Sequence, residues 1–131
     1  MSQNLIQQII AASVEVHRLL GGPGLLEAVY ESALCHELSL RGVRTQRQLA
    51  IPVIYKGAPV REPLFLDILV DDRLIIEVKA TGKDYPLYQV QLSTYMRLTG
   101  IKSGLLINFG KTSIHDGIVQ LVDEELIHAP S

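Results

Sequence analysis

The sequence predicts one mixed α/β (α+β) domain in which helices flank a central β-sheet. Its 131 residues suit a single compact domain, residues 1–131, with enough chain to bury a core. Apolar residues recur with a helical period near the start of the chain, whereas the middle contains the near-continuous apolar runs of buried strands. The predicted order of elements is ααβββ-αββ.

Two helices are predicted before the first strand. Apolar residues at three- and four-residue spacing indicate a helix over residues 3–20, which the Gly21-Gly22-Pro23-Gly24 stretch ends. A second helix is predicted from about Leu25 to Arg41, because Gly42 suits the position after a helix C-terminus. The glycine-rich stretch lacks the Gly-Lys-Ser/Thr of a phosphate loop, so we interpret it as a connection between helices.

The middle of the chain changes to strand patterns. Residues 43–56 contain β-rich stretches, and Lys56-Gly57 indicates a turn. Residues 64–70 are predicted to form a strand buried on both faces, residues 71–73 a tight turn, and residues 74–80 the returning strand. We therefore expect a hairpin in the body of the sheet.

The last third of the chain is predicted to pass through a third helix and return to the sheet. Residues 81–85 are polar and indicate a loop, after which Pro86 suits the start of a helix and Gly100 its end. Residues 104–109 indicate a further strand, and residues 118–122 an edge strand.

The composition excludes several classes of protein. A net charge of −2 argues against coating nucleic acid by bulk charge. No Trp and two Phe disfavour an aromatic platform for single strands, although five Tyr leave that option open. The single Cys35 excludes an internal disulfide framework and a Cys-rich zinc site. Without a long apolar run or a basic N-terminal region, we expect no membrane segment or signal peptide, and a cytoplasmic location.

Ionisable residues stand out in the two strands of the predicted hairpin. Asp67 lies among apolar neighbours, where a lone ionised carboxylate is costly to desolvate. Glu77 and Lys79 are two residues apart, so they project from the same face of their strand. A three-residue turn places Asp67 directly opposite Glu77, whereas a two-residue loop shifts this pairing unless a bulge restores it.

Two interpretations of this cluster remain open. In the first, a divalent cation relieves the repulsion between Asp67 and Glu77, and their oxygen ligands suit Mg²⁺ or Mn²⁺. Lys79 then contacts a phosphate or orients a water. In the second, Lys79 neutralises one of the carboxylates in a buried ion pair that has no catalytic role.

Two further residues could contribute to such a site. Gln91 falls at helical spacing with Tyr88 and Tyr95 on a helix face expected to meet the sheet, where it fixes a water or phosphate or simply forms an amide hydrogen bond. Glu27 lies in the first turn of the second helix, a position that the helix dipole alone favours for a carboxylate.

Five segments in one order carry a family resemblance, and they extend over nearly the whole chain, from about Leu5 to Val122. The segments are His17 to Tyr30 (containing Gly22-Pro23-Gly24-Leu25-Leu26-Glu27-Ala28-Val29-Tyr30), Phe65 to Val70, Ile76 to Ala80, Gln91 to Tyr95, and Gly104 to Gly110. Together they resemble the GxxExxY proteins, a branch of the PD-(D/E)XK nuclease superfamily. The residue before Asp67 is Leu66, so the Pro-Asp pair of the superfamily is not literally present.

The resemblance implies a restriction-endonuclease-like core, a central mixed sheet flanked by helices, and a metal-dependent phosphodiesterase site. Asp67 and Glu77 are then the metal ligands, assisted by the backbone carbonyl of Val78, and Glu27 is a further ligand, directly or through water. The implied cofactor is Mg²⁺ or Mn²⁺.

The resemblance also implies catalytic roles and partners. Lys79 orients the attacking water or stabilises the developing charge, and Gln91 is a helper on the following helix. The expected activity is that of an endo- or exonuclease on DNA whose cleavage leaves a 5′-phosphate. A small core of this size is similar to junction resolvases, so a homodimer is expected by analogy.

Basic residues near the predicted site are candidates for contacts with nucleic acid. Lys83 and Arg97 flank the site in sequence, and we expect them to meet phosphates while Asp123-Glu124-Glu125 faces away. The alternative is an ordinary solvated surface.

Two other classes of function stay open beside the nuclease. One is a non-catalytic nucleic-acid-binding or assembly protein that retains the nuclease fold, which the acidic balance favours. The other is a structural oligomer subunit in which Asp67, Glu77 and Lys79 form a buried ion network. Because such networks are often no more stable than apolar packing, the second alternative explains the three ionisable groups poorly.

Overall fold

Three helices and seven strands occupy residues 3–123, the part of the chain that the structure, a computed structural model, describes. The helices are α1 (Gln3–Leu19), α2 (Glu27–Leu40) and α3 (Pro86–Thr99). The strands are β1 (Thr45–Ile51), β2 (Ile54–Tyr55), β3 (Ala58–Pro59), β4 (Leu64–Val70), β5 (Leu74–Lys79), β6 (Ser103–Asn108) and β7 (Ile118–Val122). A short 3₁₀ helix, Ile114–Gly117, precedes β7.

Five of the strands form one mixed sheet in the order β1-β4-β5-β6-β7. All neighbours pair antiparallel except β5 and β6, which are parallel and joined through α3, as a parallel pair requires a long crossover. The predicted α/β class and the order ααβββ-αββ of the main sheet are confirmed. The sequence did not predict that β2 and β3 form a separate ribbon around the Lys56-Gly57 turn.

Local chemistry accounts for the ends of the helices. Pro86 is the first residue of α3, where its missing N–H costs no hydrogen bond. Gly100 ends α3 in the left-handed region (φ 75°) and donates its N–H to the carbonyl of Met96. The second helix begins at Glu27, two residues later than predicted, because Leu26 is extended and serves as the N-cap.

Helices cover both faces of the sheet and create two apolar layers. Apolar burial on both faces explains why β4, β5 and β6 read as continuous apolar runs. The layer shared with α1 and α2 includes Ile9, Tyr30, Leu34, Leu38, Ile68, Val70, Ile76, Val78 and Phe109. The layer shared with α3 includes Leu66, Leu69, Ile75, Leu92, Met96 and Leu106.

The first helix is amphipathic, as its apolar spacing predicts. Ile6, Ile9 and Val16 are buried against α2 and the sheet, whereas Arg18 and Leu19 are exposed. None of the helices within residues 3–123 combines the length and the apolar character needed to cross a membrane.

Candidate active site

The β4–β5 hairpin sets the register of the two strands that carry the acidic residues. Its paired residues, Val70 with Leu74, Leu69 with Ile75 and Ile68 with Ile76, are those expected for a three-residue turn. The ladder then stops, and Asp67 and Glu77 are the next two residues in this register. The strands therefore separate at the position where the two carboxylates face one another.

Each carboxylate at this position binds the backbone of the opposite strand. The Asp67 N–H donates to Glu77 Oε1 over 3.2 Å, and the Val78 N–H donates to Asp67 Oδ2 over 2.8 Å. These side chains replace the ladder hydrogen bonds that the separated strands do not form. Both acidic groups are consequently held in place, with oxygen lone pairs left over for a further ligand.

The regular alternation of β4 breaks at Asp67. Ile68 packs in the layer with α1 and α2, whereas Leu66 packs in the layer with α3, although alternation would place them on one face. The β1–β4 ladder is interrupted at the same point, between the pairs Arg47–Ile68 and Leu49–Leu66. Gln48, opposite Asp67, has a positive φ of 49°, a region that non-glycine residues rarely occupy.

Gln48 links Asp67 to a second, buried carboxylate on α2. Its Nε2 donates to Asp67 Oδ1 over 3.3 Å and to the Glu31 oxygens Oε1 and Oε2 over 3.1 and 3.2 Å. Glu31 is 6% exposed and also accepts a hydrogen bond from Arg47 Nε over 3.4 Å. The neutral amide therefore stands between two carboxylates and orients Asp67.

Sequence reasoning missed both Glu31 and Gln48. Glu31 follows Glu27 by four residues and so shares its helix face, a signal that could have identified it. Gln48 lies in an exposed strand pattern and carries no comparable signal.

Burial and charge repulsion act together on Glu77. The side chain is 4% exposed, and this burial raises the pKa of Glu77 to about 8, with the neighbouring Asp67 charge as the next cause. The Asp67 N–H and Lys79 oppose the increase but do not cancel it. At neutral pH Glu77 thus holds a proton unless a cation takes its place.

Lys79 lies on the same face as Glu77 and next to α3. Its Nζ is 4.6 Å from the ring centroid of Tyr88, a cation–π contact. Among the described residues Lys79 forms no salt bridge, so the direct ion pair with Asp67 or Glu77 that the alternative interpretation requires is not observed. The ammonium group is held beside the acidic pair without neutralising it.

The face of α3 that carries Gln91 meets the sheet, as its spacing predicts. Tyr88 and Tyr95 pack in the layer with α3. Burial raises the pKa of Tyr95, and the charges of Glu77 and Asp67 raise it further, which places Tyr95 near the acidic pair. Gln91 lies one turn from both tyrosines, and its buried Oε1 has no hydrogen-bond partner within residues 3–123.

Glu27 approaches the acidic pair from the first residue of α2. Burial raises the pKa of Glu27, Lys79 lowers it, and Asp67 and Glu31 raise it again. These influences require Glu27 to lie within electrostatic range of Lys79 and Asp67. The structure therefore brings Asp67, Glu77 and Lys79, on the interior strands β4 and β5, within range of Glu27 at the start of α2. Gln91 lies on the face of α3 that packs on the sheet, between Tyr88 and Tyr95.

Tyr30 holds in place the loop between α1 and α2, which immediately precedes Glu27. Its hydroxyl donates to the Gly22 carbonyl and accepts the Leu25 N–H over 3.4 Å. Its ring stacks on Phe109 with centroids 4.7 Å apart. The chain between α1 and α2 is thereby pinned to the core just before Glu27.

The two basic candidates occupy different surroundings. Lys83 is exposed in the loop before α3, and its carbonyl accepts a hydrogen bond from Asn108 Nδ2 over 3.4 Å. Arg97 lies in the last turn of α3, 3.7 Å from the Asp123 carboxylate, so Asp123 does not face away from it. Glu124 and Glu125 lie outside the described residues.

The donor chemistry of the site suits Mg²⁺ or Mn²⁺. Within residues 3–123, no three His, Cys, Asp or Glu side chains are grouped closely enough to hold a metal ion by themselves. Mg²⁺, however, is commonly bound by one or two carboxylates together with water and substrate phosphate oxygens. The opposed Asp67–Glu77 pair supplies the two carboxylates of such a set.

The comparisons with known proteins identify one family. A family model described as the PD-(D/E)XK nuclease superfamily matches residues 3–121. The match includes all three helices and all of the five-stranded sheet except Val122. No curated protein and no solved structure matches the chain.

Proposed function

Because the chain belongs to the PD-(D/E)XK nuclease superfamily, we propose that it is a Mg²⁺- or Mn²⁺-dependent nuclease that hydrolyses phosphodiester bonds in DNA. One observation carries the proposal: Asp67 and Glu77 are held opposite each other by backbone hydrogen bonds. Burial and then the Asp67 charge raise the pKa of Glu77 to about 8, which a bound cation would oppose. Two opposed buried carboxylates with a purely structural role would add little to the stability of the fold.

Four groups are the proposed metal ligands. Asp67 and Glu77 supply carboxylate oxygens, Val78 its backbone carbonyl, and Glu27 a carboxylate that binds directly or through water. When bound, the cation supplies a Lewis acid for the phosphate and lowers the pKa of a coordinated water. The backbone hydrogen bonds to Asp67 and Glu77 limit how far these oxygens move, so the site is pre-organised.

Lys79 and Gln91 have roles in handling substrate and water. The Lys79 ammonium, held on the ring of Tyr88, contacts a phosphate oxygen or orients the attacking water and stabilises the charge that develops at phosphorus. The Gln91 Oε1 accepts a hydrogen bond from that water, which gives this buried atom the partner that it lacks among the described residues.

Within the superfamily we assign the chain to the GxxExxY branch. The motif residues Gly24, Glu27 and Tyr30 support this assignment because Tyr30 anchors the loop that brings Glu27 to the acidic pair. The homodimer expected by analogy with junction resolvases stays a prediction, and light scattering of the purified protein tests it.

Calorimetric titration with Mg²⁺ and Mn²⁺, followed by cleavage assays on branched, duplex and single-stranded DNA, tests the proposed activity. We expect the wild type to bind the cation and cleave at least one substrate. Glu77→Ala and Asp67→Asn should lose both properties, whereas Lys79→Ala should lose cleavage and keep cation binding. Glu62→Ala is the matched control, since Glu62 is an exposed carboxylate outside the site.

Two results contradict the proposed activity. If the wild type neither binds cation at millimolar concentration nor cleaves DNA, the non-catalytic nucleic-acid-binding protein becomes the better interpretation. If Asp67→Asn instead lowers the melting temperature in metal-free buffer and leaves cation binding and cleavage unchanged, the cluster has a structural role.

A further inference from the structure

A cavity of about 460 Å³ opens between the start of α3 and the β6–β7 side of the sheet. Leu106 and Val119 form its apolar floor, and Asp84, Tyr85, Tyr88 and Gln89 are among the residues around its walls and rim. Its volume falls within the ~300–1,000 Å³ of typical small-molecule pockets. It combines an apolar base with the aromatic rings of Tyr85 and Tyr88 and with two side chains, Asp84 and Gln89, that are able to hydrogen-bond a ligand.

The cavity floor continues the row of side chains that contains Glu77. Leu106 on β6 is the register partner of Glu77 on β5, and Val119 on β7 is the partner of Leu106. Register partners on adjacent strands project from the same face of a sheet, and neighbouring strands are ~4.8 Å apart. The floor therefore begins one strand from Glu77 and ends two strands from it.

An aromatic wall also connects the cavity to Lys79. The ring of Tyr88 receives the Lys79 ammonium at 4.6 Å. The ring of Tyr85 packs edge to face against Tyr88, with centroids 5.2 Å apart and an interplanar angle of 79°. Tyr85 is 46% exposed, so part of its surface is free to receive a ligand.

Asn108 and Lys111 hold the polar rim in place. Asn108 Oδ1 accepts the Thr81 N–H over 3.0 Å, and Asn108 Nδ2 donates to Asp84 Oδ1 over 3.4 Å. Lys111 Nζ lies 2.8 Å from the Asp84 carboxylate. The negative charge of Asp84 is thus balanced, which reduces its repulsion of a phosphodiester backbone.

On the premise of the proposed nuclease, we propose that this cavity receives one unpaired nucleobase beside the scissile phosphate. A base has a flat π-face for Tyr85, an apolar body for Leu106 and Val119, and an edge that forms hydrogen bonds with Gln89 or Asp84. Paired and stacked bases of an intact duplex cannot enter a pocket of this kind without being flipped out. The preferred substrate is therefore DNA with an unpaired nucleotide at the site, such as a branch, a bulge or a single strand.

Binding measurements on the full chain in EDTA test the cavity without depending on a metal. The probes are a perfect DNA duplex and the same duplex with one unpaired 2-aminopurine. We expect the wild type to bind the second probe more tightly by about fivefold or more and to quench its fluorescence by stacking. Tyr85→Ala should abolish the preference, Tyr85→Phe should keep it, and Tyr55→Ala, an exposed tyrosine outside the cavity, should leave it unchanged.

Two outcomes overturn the base-binding cavity: equal wild-type affinity for both probes, or a preference that survives in Tyr85→Ala. Circular dichroism of each variant confirms that the fold is intact. One combined result is that the wild type prefers the unpaired probe through Tyr85 and yet cleaves no DNA in Mg²⁺ or Mn²⁺. This result supports the base-binding cavity and contradicts the proposed nuclease activity. If the wild type cleaves DNA but binds both probes equally, the nuclease activity is supported and the base-binding cavity is contradicted.

Discussion

At the scale of single residues, Glu77 couples the site to the stability of the chain. Its folded pKa of about 8 lies above the ordinary 4.5, so the folded protein keeps this proton where the unfolded chain has released it. The free energy of unfolding of the metal-free protein therefore falls as the pH rises from 4.5 through 8. The decrease from this group is on the order of a few kcal/mol.

Glu77→Gln should remove most of this pH dependence, because the amide stays neutral throughout the range. Denaturant unfolding in EDTA between pH 5 and pH 8.5 measures it, with Glu62→Gln as the exposed control. A decline of equal size in the wild type and in Glu77→Gln would show that other groups cause it.

In the proposed nuclease, Gln48 is a positioning residue whose effect on activity can be separated from its effect on folding. Gln48→Ala removes the amide between Glu31 and Asp67, so we expect cleavage to fall ~10- to 100-fold, the usual cost of removing a supporting hydrogen bond at a metal site. The apparent pKa in the pH–rate profile should also rise, because the two carboxylates repel each other directly.

Gln46→Ala is the matched control for Gln48→Ala, since Gln46 is an exposed glutamine on the same strand. Steady-state cleavage rates and their pH profiles give the comparison. Equal effects of the two substitutions would contradict a positioning role for Gln48.

At the scale of elements, the packing of α3 against the sheet determines where Tyr88 and Gln91 lie. The helix approaches β6 at Gly104, where a Cβ would stand 2.8 Å from Leu92 Cδ1 and 3.0 Å from Met96 Sδ. Both side chains are buried, so they cannot move aside freely. The absence of a side chain at position 104 is what allows this close packing.

Gly104→Ala should lower the free energy of unfolding by ~1–3 kcal/mol through overpacking. Gly82→Ala, where the added Cβ meets no atom within 4 Å outside the adjacent residues, should change the free energy of unfolding little. Chemical denaturation of the two variants makes the comparison. If Gly104→Ala has the stability of the wild type, α3 moves away from β6 without loss of stability and does not pack tightly against Gly104.

At the scale of the whole molecule, the net charge of −2 means that the proposed binding of DNA must rely on local positive charge. Lys83 and Arg97 are the proposed phosphate contacts, although Arg97 lies near Asp123. Lys102 precedes β6 at the opposite end of the strands from Lys79 and Asn108, so it is a suitable control for Lys83. Arg97 lies toward the Lys102 end, because its partner Asp123 donates its backbone N–H to the Lys102 carbonyl.

Lys83→Glu and Arg97→Glu should weaken DNA binding and reduce the dependence of log K on log salt by ~0.9 for each phosphate that the protein no longer neutralises. Lys102→Glu should leave that dependence unchanged. Affinity measured by anisotropy across a series of salt concentrations tests this. The interface is placed wrongly if Lys83→Glu keeps the wild-type slope, or if Lys102→Glu lowers the slope as much as Lys83→Glu does.

The sequence by itself predicted the three helices and the five strands of the main sheet. It predicted the register of the acidic pair for a three-residue turn, the turn that the structure has, and left a two-residue loop open. Apolar periodicity, Pro86 and Gly100 are local signals, so they identified the helices and strands without reference to distant residues. The short turn after Val70 set the pairing that brings Asp67 opposite Glu77, because register in a hairpin follows from loop length.

Only the tertiary structure decided how α2, α3 and β1 approach that pair. The Glu31–Gln48–Asp67 hydrogen bonds, the ring of Tyr88 under Lys79 and the cavity beside Tyr85 join residues that are distant in sequence. Their contacts depend on how helices pack on the sheet and on a local break in β4, and neither periodicity nor spacing encodes these features. The acidic residues could therefore be predicted from the local sequence pattern, whereas the residues that contact them could be identified only in the tertiary structure.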